Sequence, residues 1–510
     1  MENPMSRGGI EENILAIFDA SETKDTRDAN DDRIAFLEAV RAASIFPESG
    51  TPPTSKMREA VFQILRVGKS LELIMESFQL LNELDKRYPR VYLSNLDKSK
   101  SSSSAPLELV VAKEAWSPFV AGFGTSSSER EGADKSSGGP LDSSYSGFEY
   151  QLHVSVVEAE VVGFQLLIQD LAEVAREANF QVLDTKSLGS MLLLQYLVNF
   201  LEGDILPRSD VYEETLNWTL LRESSLHMLL GSRKLNYKAL VRDCLSIMCG
   251  LCQIQSALSN DQIYSENYVA KQFDNHDTAM AIALPEIGKN TCIAMQKLLT
   301  LIMELDKSKK KADMQGHTTR ADGVRLHLLY VDIHFVCVCH LFDESNYSSG
   351  IQCRTPMVEV ILDELTYNKE ILCQFLQVFN DPKWKLEIIL QYFWKYTAKP
   401  SVRTRRSNDS TEDATLNGAL KCFTNSTYTK SIIKKIGIEV IQVLLAHAFK
   451  HSSVQDWLLD EMACLVHESF CCIITRVYIA NGGFVNWKRS TVYSGNNPLY
   501  EVIGIGSIDS

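Results

Sequence analysis

Apolar side chains recur at helical spacing through most of this 510-residue chain, and this periodicity restricts its fold more than any other feature. Between Met57 and Arg87 the apolar positions alternate in steps of four and three residues, which puts them on one face of a helix. The members of this face are Met57, Val61, Ile64, Gly68, Leu71, Met75 and Phe78. Thr54 or Ser55 is suited to cap the start of this element.

Similar patterns predict further helices, and strand-like alternation is rare between residues 148 and 450. Short breakers such as "GDILPRSD" and "LPEIGKN" separate them. Helices of this length with short connections predict an all-α fold of antiparallel helix pairs, stacked as an irregular α-solenoid of the armadillo/HEAT-like kind or as an irregular bundle. No clean repeat period supports the solenoid. The predicted helices cover residues 31–45, 154–178, 186–202, 210–231, 235–258, 290–306, 356–379, 382–397 and 431–450.

Changes in composition predict four regions along the chain. Residues 1–93 form an N-terminal helical segment that packs on the main body. Residues 94–147 are rich in Ser and Gly and predict a disordered linker, with "AWSPF" at 115–119 as a docking motif inside it. Residues 148–450 form the helical body, with an atypical insertion at 326–354, and residues 451–510 form a divergent C-terminal tail.

The stretch "NDPKWKLEIILQYFWKYTAKPSVRTRR" joins an aromatic helix to a basic tail. Asp381 is placed to cap the helix, and Pro382 occupies the first helical position, where a missing N–H is tolerated. The aromatic face predicts packing in a core. Stacking on nucleic-acid bases is the alternative, but it needs basic residues on the same face, and the lysines lie largely elsewhere. The aromatic face comprises Trp384, Ile388, Tyr392 and Tyr396, and the lysines are Lys383, Lys385 and Lys395.

The charge of the chain limits its partners. A formal net charge of −14 argues against a broad phosphate-binding surface, so any DNA contact is expected to be indirect or weak. Two local basic clusters follow predicted helices, where cations suit the helix dipole. They are solvated helix ends, nuclear-import signals, or contacts to a partner or to phosphate. The candidate residues are Lys307, Lys309, Lys310, Lys311, Arg403, Arg405 and Arg406.

Motifs of catalysis and of membrane insertion are missing from the sequence. No Walker A loop, G-x-S-x-G elbow, dinucleotide fingerprint or H-E-x-x-H pair occurs, so we expect no enzyme, catalytic residue, cofactor, metal or small-molecule substrate. The first residues lack a signal-peptide pattern, and no apolar run suits a membrane. The single C-x-x-C, Cys249 to Cys252, and most other cysteines predict buried thiols. The tract His334, Cys337, Cys339 and His340 lacks a usual zinc spacing.

Six long strings of the sequence carry a resemblance. They are "DTRDANDDRIAFLEAVRAAS", "MREAVFQILRVGKSLELIMESFQLL", "VYEETLNWTLLRESSLHMLLGSRKLNYKALVRDCLSIMC", "LTLIMELDKSKKKADMQG", "ILDELTYNKEILCQFLQVFNDPKWKLEIILQYFWKYTAKPSVRTRR" and "TLNGALKCF". Together they resemble the plant family of negative regulators of systemic acquired resistance, the suppressors of npr-one, inducible. The similarity runs from about residue 13 to 449, with gaps at the Ser-rich linker.

This resemblance implies a non-enzymatic, all-helical nuclear protein. The family is similar to the sixth non-SMC element of the structural-maintenance-of-chromosomes (SMC) five–six complex. The expected partners that follow from this resemblance are a fifth-element-like subunit, the SMC five–six core and other DNA-repair or chromatin proteins. Its expected roles are DNA damage response, homologous recombination and restraint of defence-gene expression. The alternative is a transcriptional repressor that protein partners recruit to promoters independently of the SMC complex.

Two segments depart from the family pattern. Residues 326–354 interrupt the match between "ADGVR" and "TPMVEVILDEL", and we interpret them as a translated retained intron or a misplaced exon. This insertion contains the His/Cys tract described above, which weakens any metal-site interpretation of that tract. After about residue 450 the resemblance fades, although residues 454–478 still predict a helix.

Overall fold

The structure, a computed structural model, describes the chain in separate ranges, most of which are helical. These ranges are residues 26–46, 50–94, 108–112, 116–121, 162–176, 184–232, 235–261, 275–317, 355–397, 487–494 and 497–505, with short runs of one to four residues between 432 and 448. Strands in these ranges form only two hairpins, so the predicted all-α class is confirmed. The chain divides into two compact units, residues 1–364 and 365–510.

The first unit begins with three helices and a small hairpin and continues with longer helices. The early elements are α1 (Thr26–Ser44), α2 (Ser55–Val67), α3 (Leu71–Arg87), β1 (Val91–Ser94), β2 (Glu108–Val111) and α4 (Pro118–Ala121). The later elements are α5 (residues 162–176), α6 (Thr185–Thr215), α7 (Trp218–Arg222), α8 (Ser225–Leu230), α9 (Tyr237–Asp261), α10 (Asn275–Met314) and the start of α11 (Met357–Tyr367).

Helix α6 is the centre of the first unit. Its buried residues are distributed around the whole helix, as expected for an element that is covered on all sides. It packs against α2, α3, α7, α8, α10 and both strands of the hairpin. Stacked repeats contact only their neighbours, whereas α6 contacts elements from distant parts of the chain. The arrangement around α6 is therefore that of a bundle, and the solenoid remains a prediction.

Two predicted helix breaks are wrong, since both lie inside continuous helices. Pro207 lies within α6 and Pro285 within α10. A proline in a helix interior costs about 3 kcal/mol. Burial of a single large apolar side chain contributes roughly 1.5–3 kcal/mol, and α6 buries many. The carbonyl that Pro207 leaves unpaired belongs to Gly203, an exposed residue, so water can reach it.

Two other predicted helices are each divided by a capping residue. The helix predicted over residues 57–87 breaks at Gly68, whose N–H bonds to the carbonyl of Ile64 at 2.9 Å, and Ser70 then caps α3. A side chain at Gly68 would lie 2.8 Å from that same carbonyl oxygen. Asn368 interrupts the helix predicted over residues 356–379 by accepting bonds from two N–H groups of the next helix.

The second unit contains the end of α11, then α12 (Lys369–Val378) and α13 (Pro382–Thr397). Near the C-terminus β3 (Trp487–Ser494) pairs antiparallel with β4 (Asn497–Ile505) in a hairpin, with an irregularity between Val492 and Tyr493. No helix in the described ranges is long and apolar enough to cross a membrane.

Candidate interaction surfaces

The aromatic face of α13 is part of the core, as predicted. Asp381 caps the helix by accepting a 2.9 Å bond from the N–H of Trp384. Trp384, Tyr392 and Phe393 are buried, whereas the side chain of Tyr396 lies outside the described residues. Rings buried in this way have no face free to stack on bases. The aromatic face therefore stabilises the second unit.

Lys385 is buried beside this face and is used internally. Its side chain is 2% exposed, and Nζ donates a 2.8 Å bond to the carbonyl of Leu376. That carbonyl lies in the last turn of α12, where the helix dipole favours a cation. Lys385 thus has a structural role and is not presented to phosphate.

The lysine cluster at 307–311 lies inside α10, not after it as the sequence predicted. Lys307, Lys310 and Lys311 are exposed and share one side of the helix, and Lys309 is half-buried. The hydroxyl of Tyr212 donates a 2.9 Å bond to the carbonyl of Ser308, which fixes these last turns against α6. The cluster is therefore a positioned basic surface. The other candidates, Arg403, Arg405 and Arg406, lie outside the described residues.

The C-x-x-C pair lies on α9, facing α10. Cys244 and Cys249 are buried, Cys252 is half-buried, and Sγ of Cys292 lies 3.9 Å from the carbonyl of Met248. Burial raises the pKa of Cys249 to about 12 and that of Cys292 to about 11. A thiol that stays protonated at neutral pH is a poor nucleophile and a poor metal ligand. Cys249 and Cys292 therefore act as small apolar side chains, and the prediction of buried thiols is confirmed for Cys244 and Cys249.

Metal-ligating side chains do not converge anywhere in the described ranges. The His334–His340 tract and Cys464 lie outside these ranges.

A cavity of about 290 Å³ lies between α5 and the start of α6 and is lined by Asp170, Glu173, Asp184, Lys186 and Ser187, among others. Asp184 caps α6 by accepting bonds from the N–H and hydroxyl of Ser187, at 2.9 and 2.7 Å. The bonds from Ser187 lower the pKa of Asp184, so this carboxylate serves the helix.

A buried ionic cluster that the sequence did not reveal connects Arg90, the residue before β1, with α6 and α8. The carboxylate of Asp204 lies 3.5 Å from Nε of Arg208 and 3.9 Å from Nε of Arg90. It also accepts a 2.6 Å bond from the N–H of Ser225, at the start of α8. Arg208 in turn donates to the carbonyl of Leu220 at 3.1 Å. A buried carboxylate with such partners fixes the connection between α6, α7 and α8.

The "AWSPF" motif is docked onto its own chain. Of the segment predicted to be a disordered linker, residues 108–112 and 116–121 are structured: β2 pairs with β1, and residues 118–121 form α4. Trp116 and Phe119 are 6% and 9% exposed. The Ser and Gly content of the segment predicts disorder, but these few apolar residues find a binding surface that composition cannot reveal.

Aromatic rings from three helices receive this motif. The ring of Trp116 meets that of Phe62 edge-on at 5.3 Å. The ring of Phe119 lies 5.8 Å from that of Phe164 and 6.1 Å from that of Phe200. We call the surface formed by Phe62, Phe164, Tyr196 and Phe200 the aromatic groove. It joins α2, α5 and α6.

An ion pair supports the floor of the aromatic groove. Arg58 pairs with Asp85 and donates a 3.1 Å bond to the carbonyl of Tyr88. Burial raises the pKa of Asp85 against the opposing effect of Arg58. Burial, followed by the nearby charge of Asp85, raises the pKa of Tyr196 well above its usual range. The Tyr196 ring lies 6.0 Å from that of Phe62, so these two rings pack together in the floor of the groove.

Two protein families and one known relative match most of this chain. The family described as the SNI1 middle domain matches residues 90–334 and 347–381, and the family described as the SNI1 C-terminal domain matches residues 397–455. The Arabidopsis thaliana protein named "Negative regulator of systemic acquired resistance SNI1" is 43% identical over 444 residues, which cover 87% of this chain and 82% of that protein. No solved structure matches. The family match includes residues 326–334 and 347–354, so that only residues 335–346 of the predicted insertion interrupt it. It ends at residue 455, close to where the resemblance was expected to fade.

Proposed function

Since this chain belongs to the SNI1 family, we propose that it is a negative regulator of systemic acquired resistance that acts without catalysis. The observation that carries this proposal is the length of the match, which spans both family domains and most of a relative named for that activity. A regulatory role also suits a helical body in which the carboxylates of Asp184, Asp204 and Asp85 serve caps and ion pairs.

The finer proposal is that the chain is a nuclear scaffold subunit of the SMC five–six complex, active in the DNA damage response and homologous recombination. One helical surface would bind a fifth-element-like subunit, and another would regulate how the complex engages DNA. The net charge of −14 favours an indirect contact with DNA through partner subunits. Affinity in such an interface would come from a few anchor residues.

Complementation tests the regulatory proposal. The full chain would be expressed in an Arabidopsis line that lacks the relative, and defence-gene transcripts would be measured without infection. Return of these transcripts to the wild-type level supports the proposal, whereas transcripts that stay raised beside normal amounts of the protein overturn it. The Arabidopsis protein expressed from the same promoter is the control.

Affinity purification from plant nuclei tests the finer proposal. Stoichiometric recovery of SMC five–six subunits supports a scaffold within that complex. Recovery of chromatin cofactors without SMC subunits contradicts it and favours a repressor recruited to promoters. Co-expression with the fifth-element-like subunit, followed by size-exclusion chromatography, then determines whether the contact is direct.

A further inference from the structure

The segment 108–121 has the features of a peptide ligand. It joins the body through four residue pairs with β1 and one bond from the N–H of Ala112 to the carbonyl of Arg90, at 2.9 Å. Ser-rich stretches precede and follow it in the sequence, "KSKSSSSAP" and "GTSSSEREG". Its buried side chains are those of the short run from Trp116 to Phe119. A few aromatic anchors on a short segment are typical of peptide recognition.

The run "WSPF" is locally preorganised for binding. Ser117 Oγ accepts a 3.3 Å bond from the N–H of Phe119, and Pro118 fixes its own φ angle. This turn places Trp116 and Phe119, three residues apart, against different rings of the groove. Preorganisation lowers the entropy that a segment loses on binding. The groove therefore recognises two aromatic side chains at positions i and i+3.

The aromatic groove is built from elements that are held together without the segment. Helix α2 packs on α3 and α6, and α6 packs on α10. Arg176 of α5 pairs with Asp243 of α9, and a side chain at Gly250 of α9 would lie 2.5 Å from the carbonyl of Ala175, so α5 and α9 pack closely. Phe62 and Tyr196 are fully buried where these helices and the segment meet. The walls of the groove are thus expected to persist when the segment leaves.

One hydrogen-bond donor of the bound segment, on Trp116, is not satisfied. Within the described part of the chain, the indole N–H of Trp116 is buried without a hydrogen-bond acceptor. A buried donor left unpaired weakens binding. A competing peptide whose aromatic side chain at this position leaves no buried donor unpaired can therefore displace the segment.

We propose that the aromatic groove is a binding site for peptides with two aromatic residues at i and i+3, and that Trp116 and Phe119 of the same chain occupy it as parts of a tethered pseudo-ligand. The partner is a protein segment with the same aromatic spacing. Tethering gives the segment a high effective concentration, which blocks weaker competitors. The groove becomes available when the segment is displaced, so the segment controls access to this surface. This inference stands whether or not the chain is a subunit of the SMC complex.

Binding in trans tests the proposal. The probe is a fluorescein-labelled peptide of residues 108–121, and binding is followed by fluorescence anisotropy. The full chain with Trp116→Ala and Phe119→Ala has an emptied groove and should bind the peptide saturably. The wild-type chain should bind it at least about tenfold more weakly, because the tethered segment competes. A peptide that carries both alanines is the control and should not bind.

A second form of the protein keeps the test decisive if the double variant does not fold. Protease sites replace Ser101–Ser104 and Thr125–Ser128 in the full chain, and cleavage at both frees the segment from its tether. The cleaved segment should exchange with labelled peptide while circular dichroism of the body is unchanged. Retention of the cleaved segment without exchange, or unfolding of the body on its release, would show that the segment is ordinary core and overturn the proposal.

Discussion

The carboxylate of Asp306 accepts a 2.7 Å hydrogen bond from the backbone N–H of Met357. Asp306 lies in the last turns of α10, and Met357 is the first residue of α11. Arg242 of α9 also holds α11, because it donates two hydrogen bonds, of 2.9 and 3.2 Å, to the carboxylate of Glu364 in that helix. The beginning of α11 is therefore held by residues that come before the predicted insertion.

Deletion of residues 326–354 is expected to leave the fold intact. The linker that remains, residues 318–325 and 355–356, can reach roughly 30 Å at about 3.3 Å per residue. Asp306 lies only about 12 Å from the end of α10 at a rise of 1.5 Å per residue. Urea unfolding followed by circular dichroism should give the wild-type free energy of unfolding within about 0.5 kcal/mol. Loss of helical signal on deletion would show that the insertion contributes to folding.

Two further measurements accompany this deletion. Asp306→Ala removes the acceptor of a hydrogen bond from the N–H of Met357, at the start of α11, and should lower the free energy of unfolding by about 1 kcal/mol.

Transcript reads that join the codons of residues 325 and 355 would identify the segment 326–354 as a retained intron. Uniform coverage of the insertion would show instead that it is genuine coding sequence.

Gly250→Ala should destabilise the protein, and Gly203→Ala should stabilise it. A β-carbon at Gly250 would lie 2.5 Å from the carbonyl oxygen of Ala175, whereas at Gly203 it would meet nothing within 4 Å. The first change forces two helices apart and should cost about 1–3 kcal/mol. The second removes a flexible residue from a helix interior and should gain about 0.5–1 kcal/mol. Thermal unfolding of both variants checks the opposite signs, and equal effects would contradict the close approach of α5 and α9.

Charge reversal of Lys307, Lys310 and Lys311 to Glu is expected to weaken partner or phosphate binding while the fold is retained. These side chains are exposed, so the loss of favourable dipole interactions should cost only about 1–2 kcal/mol. Co-elution with the fifth-element-like subunit and duplex DNA binding at two salt concentrations measure the effect. The triple variant of Lys56, Lys86 and Lys238 to Glu makes the same charge change at other exposed positions. Equal binding by both triple variants would identify the cluster as a solvated helix end.

The stability of the first unit is expected to fall at alkaline pH. Cys249 and Cys292 keep their protons in the folded state up to pKa values of about 12 and 11, above the usual thiol value of 9. Above pH 9 the unfolded chain therefore loses protons that the folded chain retains, and each thiol then removes about 1.4 kcal/mol of stability per pH unit. Urea unfolding at pH 8 and pH 10 should show a smaller decrease for Cys249→Ala than for the wild type. Cys373→Ala, at a half-buried thiol, is the control, and identical decreases in all three proteins would refute the assignment.

The basic cluster and the "WSPF" motif show how far the positions of candidate residues could be predicted. The sequence identified both as candidates, but it placed the lysines after a helix and the motif in a disordered linker. A helix continues through Lys311 because Tyr212 and the residues around it cover its inner side. Composition measured over fifty residues cannot reveal that four of them bind an aromatic surface.

Interactions that stay within one or two helical turns could be inferred from the residues alone. The helical class, the caps formed by Thr54 and Asp381 and the buried face of α13 belong to this group, since each depends on neighbours along the chain. Continuation of α6 and α10 through their prolines, the bond between Asp306 and Met357 and the docking of Trp116 depend on surfaces contributed by distant residues. Their free energy comes from burial and pairing that arise only when the helices pack together, so periodicity along the chain carries no signal of them.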